Sequence, residues 1–338
     1  MDKVTIALLL ILIFIKNASY GQDPSFSQFF SSPLNINPAL TANINADWRA
    51  ILNMRNQWLG PASPYVTGTI SFDTKIFQRK ILNVEENNFI GIGAMMLSDY
   101  AMGGTQKSTY GSVNLSYNIK LAEGVSKQRV AVGFGATYAS RNIDFTRVDF
   151  QEQFTGYGFN KNLPTGETAL SNMKPYVSIN AGFTYSYRTE KSNVDIGIAG
   201  FHINKPKQTF LKDENQHLPI RKVAHANFDT YLNDRLILNT NFIFQYQSAA
   251  NYFSVGGSLG YEVGDEKKVI VNAGMWYWSN NAIIPYFGFS YNEFQVGVTY
   301  DYTTSKLSQA TRKPSTWELS LIFRGIRDPL KYIPCPWK

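Results

Sequence analysis

Between about residues 46 and 323, the sequence contains short stretches in which apolar or aromatic residues alternate with small or polar ones. In the stretch 252–263, for example, Phe253 and Val255 lie on one face and Ser254 lies on the other. Side chains point alternately to the two faces of a β-strand, so this period predicts a series of strands, each with one apolar and one polar face.

The alternating region divides into 14 predicted strands, most of which reach the about 9–11 residues that a tilted membrane strand needs. The predicted strands are 46–58, 65–77, 88–98, 109–121, 129–140, 175–188, 193–203, 222–232, 235–247, 251–263, 268–278, 282–291, 293–302 and 316–324. An even number suits a closed single-chain barrel. The sequence therefore predicts an all-β fold, a transmembrane antiparallel β-barrel of about 14 strands.

The connections between the predicted strands differ in length in a regular way. Every second connection, beginning with the first, belongs to a set that includes the long stretches 141–174, 204–221 and 303–315. The other set includes tight turns such as Asn233-Asp234, with 78–87 as a longer exception. In the first set, 57–64 and 247–251 are short for external loops. Short periplasmic turns opposite long external loops are typical of outer-membrane barrels, so this alternation favours a barrel over a soluble sandwich.

The first residues have the features of an export signal. An apolar run at 4–15 follows Lys3 and precedes the small residues Ser19 and Gly21, which predicts cleavage between Gly21 and Gln22. A run of this length is shorter than the about 20 residues that span a bilayer as a helix, which disfavours an uncleaved anchor. The predicted organisation is a signal peptide at 1–21, an N-terminal periplasmic or plug-like segment at 22–45, a barrel at 46–324 and a tail at 325–338.

Composition agrees with a membrane barrel. The chain contains 20 Tyr, 23 Phe and 6 Trp, enough for aromatic girdles at both membrane interfaces. A net charge of +7 is spread thinly along the chain, so no nucleic-acid surface is predicted, and attraction to outer-membrane lipid or lipopolysaccharide is only weakly indicated. Cys335 is the only cysteine and cannot form an intramolecular disulfide; we expect it to be buried as a small hydrophobe.

Glycine pairs occur at Gly91/Gly93 and at Gly133/Gly135. Each pair lies inside a predicted strand, and neither completes a dinucleotide-binding motif. We expect these glycines to relieve crowding inside the barrel or to permit curvature, and we predict no cofactor.

The three histidines give little indication of chemistry. A metal site needs convergent ligands, and only His202 and His225 are predicted on nearby strands. His202 shares a predicted face with Ile196 and Ile198, which places it at a membrane interface. A hydrolase that uses His225 is conceivable, but no serine stands out as an activated nucleophile. We therefore predict neither a metal site nor catalytic residues.

The stretch 22–40 differs from the rest of the chain. It combines residues that interrupt helices and strands with aromatic residues that need burial, namely Pro24, Pro33, Pro38, Phe26, Phe29 and Phe30. Two interpretations are open: a structural segment packed in the lumen or at its rim, and a docking surface at the periplasmic mouth. The residues alone favour the first.

Three runs of residues resemble the PorP/SprF family of the type IX secretion system. The first is Asp23-Pro24-Ser25-Phe26-Ser27-Gln28-Phe29 with Asn35-Ile36-Asn37-Pro38-Ala39-Leu40. The second is Met54-Arg55-Asn56-Gln57-Trp58, in which Met54 replaces the family's usual aromatic residue. The third is Trp317-Glu318-Leu319-Ser320-Leu321 followed by Cys335-Pro336-Trp337. The candidate partner-binding or structural residues are Asp23, Pro24, Phe26, Ser27, Gln28, Phe29, Pro33, Asn35, Asn37, Pro38, Ala39, Arg55, Asn56, Gln57 and Trp58.

The resemblance implies a non-enzymatic outer-membrane barrel that works with the type IX machinery. It also implies partners: secreted surface proteins such as adhesins with a C-terminal sorting domain, and periplasmic ring or lipoprotein components of the machinery. The barrel would support secretion of these proteins or anchor them at the cell surface.

The predicted external loops offer a place for such a partner. The loops 141–174 and 204–221 are much longer than hairpin connections, and the first contains candidate contact residues Phe145, Phe150, Phe154, Tyr157 and Phe159. The alternative is a passive channel or hydrophobic-substrate transporter with a water-accessible lumen. The polar lumen faces permit it, but they lack the rings of charge that select ions.

Overall fold

The computed structural model describes residues 23–60, 63–76, 80–81, 84–85, 88–122, 126–167, 173–209, 216–264 and 269–325. The predicted signal peptide with its cleavage site, and the tail from residue 326 that contains Cys335, lie outside these ranges.

Fourteen antiparallel strands form a closed barrel in which each strand pairs with the next along the chain and the first pairs with the last. The strands are β1 Trp48–Leu59, β2 Tyr65–Ile76, β3 Phe89–Ala101, β4 Gln106–Ala122, β5 Lys127–Ile143, β6 Tyr176–Arg188, β7 Ser192–Phe201, β8 Arg221–Tyr231, β9 Leu236–Gln247, β10 Ala250–Val263, β11 Val269–Trp278, β12 Ala282–Tyr291, β13 Phe294–Thr303 and β14 Ser315–Gly325. This architecture confirms the predicted fold class and strand number. In the described residues no helix has the length and apolar character needed to cross a membrane.

The seam of the barrel lies between β1 and β14. Trp48 pairs with Gly325 at one end of the seam, and Arg55 pairs with Glu318 nearer the other. The register shifts between Asn56 and Leu59, which marks a bulge or irregularity in β1 before Leu59 pairs with Ser315.

The alternation of faces follows the predicted pattern. On β6, Val177 and Ile179 are exposed on the outside, whereas Ser178 and Thr184 are fully buried on the inside. On β13, Val298 and Tyr300 face outward, and Thr299 and Asp301 face inward. The exposed apolar side chains form the surface that contacts lipid in a membrane barrel.

The two ends of the barrel differ. One end, which we call the turn end, carries the start of β1, the end of β14 and the short connections 189–191, 232–235 and 292–293. The longer connection between β2 and β3 is also at this end and contains the paired strands Lys80–Ile81 and Val84–Glu85. The opposite end, the loop end, carries the long connections 144–175, 202–220 and 304–314. In outer-membrane barrels the long loops face the outside of the cell.

Three strands extend three residues further toward the loop end than the sequence indicated, and the first of them is β3, which was predicted to end at residue 98 but ends at Ala101. β4 and β5 each contain 17 residues, and their pairing continues from Ala122 opposite Gln128 to Gln106 opposite Ile143. The predicted strands 109–121 and 129–140 were therefore too short, because the ladder continues through polar residues beyond the alternating region.

The expectation that inward faces are uniformly polar was wrong. On β11 and β12 the inward side chains include Trp276, Trp278, Ile284 and Tyr286, all buried. They belong to a hydrophobic core inside the barrel, which also contains Phe29 and other residues that precede β1. These strands face an internal segment with its own aromatic side chains, so an apolar inner face is favourable there.

Candidate functional site

Residues 23–47, which we call the N-terminal segment, run through the inside of the barrel from the loop end to the turn end. Asp23 contacts His202 and Arg221, which flank a loop-end connection. At the other end of the segment, the main-chain N–H of Ala42 donates to Asp73 Oδ2 at 2.7 Å, near the turn end of β2. The segment therefore passes along the lumen before the chain turns back into β1.

Prolines shape this path. Pro33 begins a short α-helical turn, Pro33–Ile36, and Pro38 begins a 3-10 turn, Pro38–Leu40. Proline is well suited to the first position of a helical turn, where its missing N–H leaves no broken bond. Asn37 lies between the turns in an extended conformation and caps the second by accepting a hydrogen bond from Ala39 N–H. The segment thus bends compactly enough to stay inside the barrel.

Arg55 is at the centre of a buried charge cluster on the seam. Its Nη1 atom lies 2.7 Å from Glu318 Oε1, and its Nη2 atom lies 3.1 Å from Asp301 Oδ2. All three side chains are at most 3% exposed. Nη1 also donates to the main-chain oxygen of Ser25 and to Ser27 Oγ. A buried charge needs partners of this kind, and Arg55 receives them from two strands and from the N-terminal segment.

The three runs that resemble the PorP/SprF family meet at this cluster. The main-chain N–H groups of Ser27 and Gln28 donate to Glu318 Oε1 and Oε2 at 2.6 and 2.8 Å. The Gln28 side chain accepts from Ser320 Oγ at 2.8 Å. Ser27 and Gln28 belong to the first run, Arg55 to the second, and Glu318 and Ser320 to the third. Residues far apart in sequence therefore form one hydrogen-bonded site.

Asn37 forms a second attachment, on the opposite wall. Its Nδ2 atom lies 3.1 Å from the main-chain oxygen of Phe183, 3.1 Å from Thr184 Oγ1 and 3.0 Å from His225 Nε2. His225, which a hydrolase would need as a base, is thus occupied by this contact. In the described ranges no group of three or more His, Cys, Asp or Glu side chains is arranged to hold a metal ion.

Inward glycines leave room for the segment. A Cβ atom at Gly133 would collide with the main chain of Pro38 and Ala39, and one at Gly182 would collide with the Asn37 side chain. At Gly91, a Cβ atom would lie only 2.5 Å from the main-chain oxygen of Thr41. These glycines allow the wall to approach the segment closely. They relieve crowding inside the barrel, as expected for Gly91 and Gly133 from the sequence.

Asp23 forms the attachment at the loop end. Its Oδ2 atom lies 2.7 Å from His202 Nε2 and 3.2 Å from Arg221 Nε, the latter an ion pair without the alignment of a hydrogen bond. Burial raises the pKa of the Asp23 carboxyl, but the electrostatic influence of His202 and Arg221 and the hydrogen bond with His202 outweigh this effect. The pKa is therefore held well below its usual range, and the carboxylate stays ionised.

The predicted position of His202 at a membrane interface was wrong. β7 ends at Phe201, and His202 has a positive φ of 58°, so the strict alternation stops there. The side chain turns inward, is 6% exposed and also lies 2.7 Å from Ser178 Oγ. A left-handed residue at a strand end reverses the side-chain direction that a period of two predicts.

The phenylalanines of the segment pack against aromatic residues of the wall. The Phe30 ring is stacked on Trp276 with centroids 4.8 Å apart and meets Tyr286 edge-on at 5.7 Å. Phe29 and Phe26 are each 4% exposed. Aromatic pairs in these arrangements contribute beyond the area they bury. The middle of the barrel is therefore filled by an apolar core.

The structure brings together most of the candidate residues from the N-terminal runs. Those that are buried in the lumen are Phe26, Ser27, Gln28, Phe29, Pro33, Asn37, Pro38, Ala39 and Arg55. Asp23, Pro24 and Asn35 are partly buried at the loop end of the segment.

The rest of the second run lies elsewhere. Asn56 and Gln57 are partly exposed beside the β1–β14 bulge. Trp58 adopts a positive φ of 62° and donates its N–H to Thr316 Oγ1. Its ring packs edge-on against Tyr65 at the loop end of the barrel, 5.4 Å away. These residues do not join the Arg55 cluster.

The aromatic residues of the first long loop fall into two groups. Phe145 and Phe150 are half-buried within the loop. Phe154 and Phe159 are each 53% exposed, with ring centroids 5.1 Å apart, and Tyr157 between them is fully exposed. These three residues, which we call the aromatic tip, present an apolar surface at the loop end.

Sequence reasoning named Asp23 and Arg55 but missed other charged residues that hold the segment, among them Arg49 and Asp73. Arg49 donates to both carboxylate oxygens of Asp73, at 3.0 and 2.7 Å, and Asp73 in turn holds Ala42. The available signal was the position of each charge on the inward face of an alternating strand, because a charge facing a lipid-enclosed lumen needs a partner inside it.

The fold defines an outer-membrane β-barrel whose lumen holds a segment of its own chain. The sequence profile described as type IX secretion system membrane protein PorP/SprF matches residues 18–323, and the chain belongs to this family. It is therefore a type IX secretion component of the outer membrane. No curated protein matches the chain.

Solved structures show similar barrels. The TodX monoaromatic hydrocarbon channel deltaS2 mutant is 8% identical and matches with a TM-score of 0.50, covering 86% of this chain and 93% of that chain. The P. putida toluene transporter TodX has the same identity and coverage with a TM-score of 0.48. A Pseudomonas aeruginosa FadL homologue is 11% identical with a TM-score of 0.43, covering 85% and 92%. At these identities the likeness concerns the fold alone.

Proposed function

We propose that this barrel supports the secretion, or the anchoring at the cell surface, of partner proteins that carry a C-terminal sorting domain. The observation that carries the proposal is the aromatic tip, Phe154, Tyr157 and Phe159, exposed on a long loop at the end that faces outward in such barrels. Exposed aromatic residues clustered on a protein surface are typical of interaction sites.

In this proposal the N-terminal segment stabilises the barrel from within. Its contacts are mainly with the wall of its own barrel: Ser27 and Gln28 with Glu318, Asn37 with Thr184, and Ala42 with Asp73. A rigid barrel presents the external loops in a fixed arrangement. Other components of the type IX machinery would bind surfaces at the turn end, and lipid or lipopolysaccharide would surround the outer apolar belt.

The experiment is a gentle detergent extraction of the tagged barrel from outer membranes, with the co-purifying proteins identified by mass spectrometry. A variant with Phe154→Ser, Tyr157→Ser and Phe159→Ser is compared with the wild type. The matched control is Gln151→Ser with Asn162→Ser, two exposed polar positions of the same loop. Heat-modifiable migration in electrophoresis verifies that each variant is folded.

We expect a secreted protein with a C-terminal sorting domain to co-purify with the wild type and the control, and to be lost from the aromatic variant. Equal recovery with all three forms would assign the binding surface to another loop. If the wild type yields only machinery components, the cargo-binding proposal is wrong. A shorter loop, with residues 160–170 deleted, should also lose the secreted protein.

A further inference from the structure

A cavity of about 360 Å³ lies between the N-terminal segment and the inner faces of β7–β14. It shares Asp195, Asp229 and Arg324 with a wider space of about 610 Å³ whose lining includes Glu293 and Gly325 at the turn end. The cavity is therefore the inner part of a vestibule that opens at the turn end, which faces the periplasm in outer-membrane barrels. The aromatic tip lies at the opposite end, so a ligand of the vestibule is independent of the proposed cargo-binding surface.

Asp229 brings an unpaired carboxylate to this vestibule. The half-buried side chain lines both the inner cavity and the wider space. It interacts with Arg188 and Arg324 at longer range, but within the described part of the chain it makes neither a hydrogen bond nor a close ion pair. A carboxylate removed from bulk water is stabilised by a donor or a cation beside it.

The two arginines that interact with Asp229 already hold other groups of the barrel. Arg324 Nη2 donates to Gln295 Oε1 at 2.9 Å, and Arg188 Nη2 donates to Asn43 Oδ1 at 2.6 Å. Asp229 is therefore the group that a charged ligand can complement, and a carboxylate selects a ligand with a positive charge.

The rest of the inner cavity carries amide side chains and apolar side chains together. They include the amides of Asn227, Asn239, Asn241 and Asn272 and the side chains of Ile237 and Ile270. Amides donate to carbonyls and accept from N–H groups, and isoleucines cover apolar side chains. A bare cation or a small amine would leave this wall without contacts, whereas a peptide main chain has the matching donors and acceptors.

Trp276 supplies an independent indication. Its side chain lines the cavity and is 2% exposed, and its Nε1–H has no hydrogen-bond acceptor among the described residues. A buried indole N–H usually finds an acceptor. A main-chain carbonyl of a peptide in the cavity provides one.

The barrel binds a main chain with the same chemistry on its other wall. Asn53 Nδ2 donates to the main-chain oxygen of Ser31 at 3.0 Å, and Ser116 Oγ donates to that of Thr41 at 2.7 Å. Polar side chains of the wall thus hold the backbone of the N-terminal segment. The inner faces of β8–β11 present comparable groups to the vestibule.

We propose that the vestibule binds the amino-terminal segment of a partner polypeptide that enters from the periplasm. The ammonium group of this segment binds the Asp229 carboxylate, a main-chain carbonyl accepts from Trp276 Nε1–H, and the amides of β8–β11 hold the remaining main chain. Capture of a free amino terminus is a recurring mode of peptide recognition. The wider outer space allows the partner chain to continue into the periplasm.

The test is a calorimetric titration of the full-length barrel in detergent with penta-alanine amide, a peptide whose only charge is its amino terminus. The N-acetylated peptide, which lacks that charge, is titrated in parallel. The variants Asp229→Asn and Trp276→Phe each remove one contact. The matched controls are Asp149→Asn, exposed at the loop end, and Trp317→Phe, on the outer face of β14. Heat-modifiable migration verifies that each variant is folded.

We expect the peptide with a free amino terminus to bind the wild type and both controls with equal affinity. Acetylation of the peptide, or Asp229→Asn, should weaken binding about tenfold because a charge-assisted hydrogen bond is lost. Trp276→Phe should weaken it about fivefold, since one neutral hydrogen bond is lost. Absence of binding to the wild type, equal affinity for the two peptides, or unchanged binding by Asp229→Asn would overturn the proposal. If Trp276→Phe does not fold, the acetylated peptide and Asp229→Asn still decide.

A last titration examines the source of the ligand. The same alanines are placed at the amino terminus of a soluble carrier protein, joined to it by a flexible linker. We expect this fusion to bind as the free peptide does, because the vestibule widens toward the periplasm. Binding of the free peptide without binding of the fusion would overturn the assignment to a partner polypeptide.

Discussion

Arg55 and Glu318 form an ion pair of 2.7 Å that joins the first strand of the barrel to the last. The same Glu318 carboxylate accepts hydrogen bonds from the main chain of Ser27 and Gln28. The seam of the barrel and the attachment of the N-terminal segment therefore depend on one pair of side chains.

Replacing Arg55 with Met should destabilise the barrel strongly. It leaves Asp301 and Glu318 buried beside each other without a cation, and loss of one partner of a buried pair typically costs about 3–5 kcal/mol. We expect the heat-modifiable folded band to disappear at a lower temperature, measured by a thermal series in electrophoresis.

A second variant distinguishes lost charge balance from lost packing. Adding Asp301→Asn and Glu318→Gln to Arg55→Met should recover part of the stability, because the uncompensated charges are gone. The matched control is Arg147→Met, which removes an exposed pair with Asp144 and should change stability by less than about 1 kcal/mol. Similar losses in the Arg55 and Arg147 variants would contradict the structural role of the cluster.

Gly133→Ala should displace the N-terminal segment without preventing formation of the barrel. The added methyl group would occupy the space of the main chain at Pro38 and Ala39. We expect faster proteolysis within residues 23–47, measured by digestion of the detergent-extracted protein and mass spectrometry of the fragments. The control is Gly111→Ala, where a Cβ atom meets no heavy atom within 4 Å. If both variants resist digestion as the wild type does, the close approach at Gly133 is not required.

The contact of Asp23 should be retained in mild acid. The pKa of its carboxyl is lower in the folded protein than the ordinary value of about 3.9. When the pKa of a carboxyl is lowered by folding, its carboxylate contributes its full stabilisation at pH values above the ordinary pKa. This stabilisation is lost as the pH falls through the pKa of the folded state. We therefore expect the difference in thermal midpoint between wild type and Asp23→Asn to persist from pH 6 to pH 4 and to shrink at lower pH.

The exposed Asp149 provides the comparison for this measurement. Asp149→Asn should alter the thermal midpoint little at any of these pH values, because the side chain is 44% exposed and its ion pair with Lys161, across 3.6 Å, is also exposed. An Asp23→Asn variant with the same small effect would show that the loop-end contact does not stabilise the segment.

Deleting residues 23–44 should open the lumen. These residues supply Phe29, Phe30 and Leu40 to the core that fills the middle of the barrel. In planar bilayers we expect low conductance for the wild type and a clear increase for the deletion variant, provided that it shows heat-modifiable migration. A high wild-type conductance that does not change on deletion would favour the alternative function of a passive channel.

The strands could be predicted because their pattern is local. Each barrel strand has lipid on one side, so alternation such as Val177, Ser178, Ile179 along β6 is required by the environment and visible in the sequence. The alternation of short and long connections could also be predicted, because successive connections lie at opposite ends of the barrel.

The interior could not be predicted in the same way, because its contacts join residues far apart in the chain. Nothing local relates Ser27 to Glu318 or Asn37 to His225, although the runs that resemble the family contain several of these residues. His202 was misplaced because one left-handed residue reverses the alternation. The aromatic inner faces of β11 and β12 become understandable only with Phe30 stacked on Trp276.

The route of the chain ahead of β1 restricts the order of assembly. Asp23 lies at the loop end and Trp48 at the turn end, so the polypeptide between them occupies the interior of a ring that its own later residues close. Inserting that polypeptide into a closed barrel would require threading it past Trp276 and Tyr286. Lateral entry through an unpaired β1–β14 edge requires no threading. An assembly in which the β1–β14 edge pairs last, around an interior that is already occupied, avoids this threading.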